Sequence, residues 1–239
     1  MISIRLQSIT PHDMMQHPIT VCGLGLSALI LPCLLQGSPA IAIDPGPITP
    51  PAKISAVQIA QAPAETALKL TLADLPQGFI EPPPAVAAQM VQQLEALSGQ
   101  FQQSGVSPED FYVYIHPTRL QVVVGFNGVV SDRELFDYYL TQSQQPEQQI
   151  KITELIQQRL APMDGIDLTR YETLETVNGV GDRAAGIHLG LTLYDTQFSS
   201  DLVTFRRGNV GLFTAIMYPQ DQTPLVELLT LATTLDQRI

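Results

Sequence analysis

From Ile166 to Met217 the chain alternates apolar and polar residues at a period of two, in segments separated by short turn-forming stretches. That pattern permits little except an antiparallel sheet. Ala185, Ile187, Leu189, Leu191 and Leu193 alternate with Gly186, His188, Gly190 and Thr192, so one side of a strand is apolar and the other is not. Residues 168–177 form the preceding strand and run into Asn178-Gly179, a strong hairpin signal. Residues 202–205 and 210–217 flank Arg206-Arg207-Gly208-Asn209, which reads as a second tight hairpin. Strands joined this closely pair antiparallel, because a parallel neighbour needs a crossover of about a dozen residues or more.

Upstream, residues 111–115 and 120–126 are apolar strands on either side of His116-Pro117-Thr118-Arg119, another hairpin connection. Leu68, Leu70 and Leu72 alternate with Lys69 and Thr71, which predicts a half-buried first strand. The helices follow a different period. Val86, Met90, Leu94, Leu97 and Phe101 recur at spacings of three and four and share one helical face. Ser131 and Glu134 form a capping box ahead of Leu135, Phe136, Tyr139 and Leu140. Pro146 separates that helix from one carrying Ile152, Leu155, Ile156 and Leu160. Pro224, with Thr223 as N-cap, opens a last helix in which Leu225, Leu228, Leu229, Ala232, Leu235 and Ile239 share a face. The expected order is β-α-ββ-αα-ββββ-α. This is an α+β domain with a central antiparallel sheet that helices must cover.

The ends of the chain differ from its body. Residues 19–35 are apolar and uncharged, and Ala40-Ile41-Ala42 supplies a small-x-small triplet, the pattern of a secretory signal peptide over residues 1–42. Gly23, Gly25 and Pro32 interrupt the run, which is too short to read as a membrane span. Cys33 follows Pro32 and Cys22 follows Val21, so neither sits in a lipid-accepting context. Met14-Met15 offers an alternative start that would shorten the leader. Residues 43–66, with Pro45, Pro47, Pro50 and Pro51, read as a flexible Pro/Ala-rich linker. Residues 67–239 remain as a single domain, and the membrane is met only through the signal segment if that stays uncleaved. Both cysteines lie within 1–42, so the mature chain has no thiol for a disulfide, a nucleophile or a metal.

The net charge is −11, and removing residues 1–42 takes away one base (Arg5) and one acid (Asp13), leaving it unchanged. Such a chain repels phosphate backbones, and no basic stripe offsets this, which excludes nucleic acid as a partner. Gly179-Val-Gly181-Asp-Arg-Ala184 matches G-x-G-x-x-A in letters. The residues after it alternate like a strand, so no helix N-terminus is there to hold a pyrophosphate. His116 and His188 lie on different segments without a metal-ligand spacing. His116 reads as a turn residue and His188 as a residue of a polar strand face. Asp164 and Asp167 lack the alternate spacing of a calcium loop. Asp195 and Asp201 read as solvated ends of a strand connection. Neither catalytic residues nor a cofactor is expected. Arg206 and Arg207, together at a turn of an acidic protein, are the candidates for contact with a partner; their other reading is an internally salt-bridged pair.

Two segments carry a resemblance. Residues 201–211 (Asp201-Leu-Val-Thr-Phe-Arg206-Arg207-Gly208-Asn209-Val210-Gly211), with residues 224–239, resemble the closing module of exported proteins with a PsbP-like fold. Leu70-Thr-Leu-Ala-Asp-Leu-Pro76-Gln-Gly78-Phe79 is similar to the opening of that group, and the chain also resembles exported proteins of cyanobacteria. The resemblance implies an α/β/α sandwich, its antiparallel sheet flanked by helices on both faces. It also implies a non-catalytic accessory protein that binds a partner protein in the periplasm or thylakoid lumen. The alternative is a small-molecule or ion-binding protein using a cleft between sheet and helices.

Overall fold

Nine main elements follow one another along the chain in a computed structural model that describes residues 68–88, 90 and 104–239. They are β1 (Val106–His116), β2 (Gln121–Val130), α1 (Arg133–Ser143), α2 (Pro146–Leu160), β3 (Ile166–Leu174), β4 (Arg183–Leu193), β5 (Thr196–Arg207), β6 (Val210–Pro219) and α3 (Leu228–Asp236). Residues 84–88 are also helical. The signal segment, the linker and the helix positions Leu94, Leu97 and Phe101 lie outside the described residues.

The six strands make one antiparallel sheet in the order β1-β2-β6-β5-β4-β3. The chain leaves the sheet after β2, passes through α1 and α2, and re-enters at the far edge as β3. It then fills inward until β6 pairs with β2. The domain is therefore α+β, closed by a contact between strands far apart in sequence.

Alternation along the strands sends side chains to two separate apolar cores. Val122, Val124 and Phe126 of β2, with Phe213, Ala215 and Met217 of β6, join Phe136 and Leu140 of α1 and Ile152, Ile156 and Leu160 of α2. Met90 belongs to this core too. Their neighbours Val123, Leu212 and Ile216 join Leu228, Leu231, Ala232 and Leu235 of α3, together with Leu70, Leu75 and Phe79. Burying a side chain of this kind is worth about 1.5–3 kcal/mol, so both sets are needed to hold the sheet.

Local departures from the expected elements have physical causes. The first strand does not form; Leu72–Asp74 is a turn of 3₁₀ helix. Asp74 accepts from the Thr71 backbone N–H at 2.6 Å and from its hydroxyl at 2.8 Å, and these local bonds compete with extended pairing. The cap of α1 is Asp132, which accepts from the Leu135 N–H at 2.9 Å, while Ser131 donates to the Gly105 carbonyl. Asn178-Gly179 is no two-residue hairpin. Residues 175–177 are 3₁₀, and Val177 and Val180 are buried in the α3-side core, so this connection packs instead of turning tightly.

The tight turn falls at Tyr194-Asp195, both at positive φ, although neither is Gly or Asn. Helix α3 begins at Leu228 rather than Pro224. The buried amide of Gln121 donates to the Thr223 carbonyl and accepts from the Leu225 N–H, holding that stretch against β2. Leu229 and Ile239 are exposed, and Leu231 takes the buried place assigned to Leu229.

Candidate functional site

Strand β5 runs through both Arg206 and Arg207, and only Gly208-Asn209 remain for the turn into β6. Adjacent strand residues point to opposite faces, so the two arginines part company. Arg206 forks onto Asp137 of α1 at 2.8 and 2.7 Å, and also donates to Asp182 at 3.2 Å and to the Gly208 carbonyl at 2.9 Å. Asp137's hydrogen bonds, working against burial, push its guanidinium above the ordinary range. Arg207 forks onto Asp236 of α3, both bonds at 2.5 Å. Arg238 does the same work for the N-terminal stretch, donating to the Lys69 carbonyl at 2.5 Å and to Asp74. The two candidate contact residues are thus held by carboxylates of their own chain. Arg206 is almost covered, with 9% of its side chain exposed, against 42% for Arg207.

The more distinctive cluster lies elsewhere on the sheet. Asp201 is not at a strand end; it stands in the middle of β5, directly across from His188 of β4. The His188 ring nitrogen Nδ1 is 2.6 Å from Asp201 Oδ1. Tyr218 of β6 donates its hydroxyl to the other oxygen, Oδ2, at 2.8 Å. An ionised carboxylate only accepts, so Nδ1 carries the proton of this bond, and Nε2 is the acceptor of the neutral ring and a second donor of the charged one. Burial, followed by the bond to Asp201, pushes the Tyr218 hydroxyl well above its ordinary value and keeps it a donor. The side chains of His188 and Asp201 are 16% and 17% exposed, enough for one edge of the network to meet solvent.

The backbone frames this cluster. Gly186 and Gly190 flank His188 at two residues on either side. A Cβ on Gly186 would lie 2.7 Å from Val177, and one on Gly190 would lie 2.8 Å from Arg170, so both glycines let neighbouring chain cross close over β4. Glu172 of β3 is the register partner of His188 on its other side. It is paired with Arg170 at 2.7 Å. Three adjacent strands therefore contribute an acid–imidazole–acid row with a tyrosine beside it.

The other candidates are dispersed. His116 ends β1 and packs edge-on against Phe79 at 5.3 Å. Gly179 and Gly181 precede strand β4, so the G-x-G-x-x-A letters head no helix. Among the described residues, Asp164 and Asp167 join no group of three potential metal ligands. The partners of His188 were not visible as a motif. The one hint is an aspartate next to the apolar run Leu202-Val203 of β5 and a tyrosine closing the apolar run of β6, and only the register shows that they meet.

No protein-family model matches the chain, and no curated protein matches it either.

Proposed function

We propose that this is an exported, soluble accessory protein that binds a partner protein in the periplasm or thylakoid lumen without catalysing a reaction. Its two cores, one with α1 and α2 and one with α3, support an α/β/α layering of the PsbP-like kind. The observation that carries the binding role is the His188–Asp201–Tyr218 network. Its polar atoms satisfy one another, so the imidazole is fixed before any partner arrives, and a fixed group loses little freedom on binding. Among the described residues no helix is long and apolar enough to cross a membrane.

The test is recovery of partners with the mature protein from its native compartment, followed by mass spectrometry. His188→Ala and Tyr218→Phe are expected to lose a partner retained by the unaltered chain, with circular dichroism unchanged. Retention of every partner by both variants would move the binding surface away from this network. Recovery of a chain still carrying residues 19–35 would contradict export by a cleaved signal. The alternative, small-molecule or ion binding, is favoured by the same open Nε2. A ligand that shifts the His188 ring resonances in the absence of any protein partner would support it.

A further inference from the structure

The two edges of the sheet are built differently, and one of them is complementary to itself. Edge strand β1 carries Pro108, which has no N–H to give, two adjacent acids at Glu109 and Asp110, and a register shift between Glu109 and Tyr112. Its outer side is also bridged, through Ile115, by Ile80. These are the features by which proteins blunt an edge. Edge strand β3 also has a register shift, between Leu168 and Arg170, but from Arg170 onward it is regular and has no strand on its outer side among the described residues. Its middle reads Thr169-Arg170-Tyr171-Glu172-Thr173, in which reversal about Tyr171 exchanges an arginine with a glutamate.

We infer that β3 is the docking surface for a second copy of this chain, paired antiparallel about a two-fold axis through Tyr171. In that register Arg170 of each copy stands opposite Glu172 of the other, while Thr169 falls in the register shift and takes no regular place. Opposite charges facing each other across an antiparallel pair favour it, and like charges oppose it. Shifting the axis to Arg170 sets arginine against arginine, and shifting it to Glu172 sets glutamate against glutamate, so charge favours the axis at Tyr171 over either. Arg170 and Glu172 are free to do this. They are 53% and 50% exposed and, among the described residues, pair with each other along the same strand. An isologous contact of this kind closes on itself and gives a dimer, not a filament. The inference does not rest on the binding role assigned to His188, although Glu172 borders that residue across β3 and β4.

The test is light scattering on the full chain after gel filtration over a range of concentrations. The unaltered protein is expected to show twice the monomer mass as concentration rises. Arg170→Glu and Glu172→Arg each place like charges across the axis and should weaken the dimer at least about tenfold. The double swap restores the pairs and should restore the dimer. A mixture of the two single variants should form a mixed dimer, since each supplies the charge that the other lacks. Circular dichroism guards against misfolding, and both positions are on the surface. A monomeric unaltered protein, undiminished association in the single variants, or a double swap no better than either would each overturn the inference. So would an unaltered chain that stays monomeric while pairing its β3 edge with an unrelated extended peptide.

Discussion

Arg206 and Arg207 are neighbours in sequence, identical in chemistry and opposite in situation. Arg206 lies under α1, almost covered, and serves two carboxylates and a carbonyl. Arg207 reaches one carboxylate at the end of α3 and remains in contact with water. As a pair at a turn they look interchangeable, and an exposed ion pair of that kind contributes little. Burial separates them. Removing the covered Arg206 takes away four bonds made in a nearly closed space, whereas solvent can reach the place vacated by Arg207, although Asp236 beneath it is only 13% exposed.

The largest disturbance to this arrangement is loss of α3 itself. Deleting residues 228–239 removes four buried side chains of the second core, Leu228, Leu231, Ala232 and Leu235, together with Asp236 and Arg238. At about 1.5–3 kcal/mol for each large aliphatic residue, the loss approaches the ~5–15 kcal/mol that keeps a domain folded. The product should be insoluble or unfolded by circular dichroism. A soluble, folded truncation would mean that the α1–α2 core suffices.

Next in size, Arg206→Ala should lower the urea midpoint, because it removes a nearly covered cation that bonds Asp137, Asp182 and the Gly208 carbonyl and leaves a gap under α1, while the two carboxylates, 27% and 46% exposed, keep some water. Arg207→Ala should cost clearly less in the same titration. Equal losses would refute burial as the deciding factor.

Acid sharpens the comparison from the carboxylate side. The bond from Arg207 holds the Asp236 carboxyl below its ordinary value of 3.8. Burial works to raise Asp74, but its bonds from Thr71 and Arg238 outweigh it and leave it lowered as well. A depressed folded-state value stabilises the fold above the ordinary pKa, and that stability is lost as pH falls through the lowered one. Stability should therefore decline below about pH 4. Asp236→Asn should flatten part of that decline in a pH series of thermal melts. An unchanged slope would show that the pair does not titrate with unfolding.

The smallest effect is expected at Tyr112. It is buried and, among the described residues, its hydroxyl makes no hydrogen bond of good geometry, although the Thr214 side chain is near enough to act on it. Burial keeps that hydroxyl protonated far above the ordinary range. Tyr112→Phe should change stability by less than about 1 kcal/mol, or raise it, since it removes an unpaired polar atom from the core. A large loss would reveal a bond that the geometry does not show.

Much of the architecture was legible because it is local. Alternation at Ala185–Leu193 requires only neighbouring residues to define a strand, and the spacing of Phe136 and Leu140, or of Ile152, Ile156 and Leu160, needs only one helix. The failures were also local contests decided from outside. Pro224 and Thr223 are a sound start for a helix, yet the buried amide of Gln121, more than a hundred residues away, claims their backbone. Asn178-Gly179 is a sound hairpin, yet Val177 and Val180 gain more from the second core than from a tight turn. In both cases, burying apolar surface or satisfying a buried amide outweighed a turn or cap preference of about one kcal/mol.

The candidate site divides along the same line. The chain order and residue types determined a strand bearing His188 and two strands flanking Arg206 and Arg207, but Asp201, Tyr218 and both arginines fell just outside the expected strands 202–205 and 210–217 and lie inside β5 and β6. Only the tertiary structure decided that Asp201 meets His188 and Tyr218. It likewise decided that Arg206 turns to Asp137, 69 residues distant, while Arg207 turns to Asp236. Strand register carries that information, and a shift of one residue would send every one of these side chains to the other face. Register is set by which apolar rows can be buried together, a property of the whole sheet and both its cores.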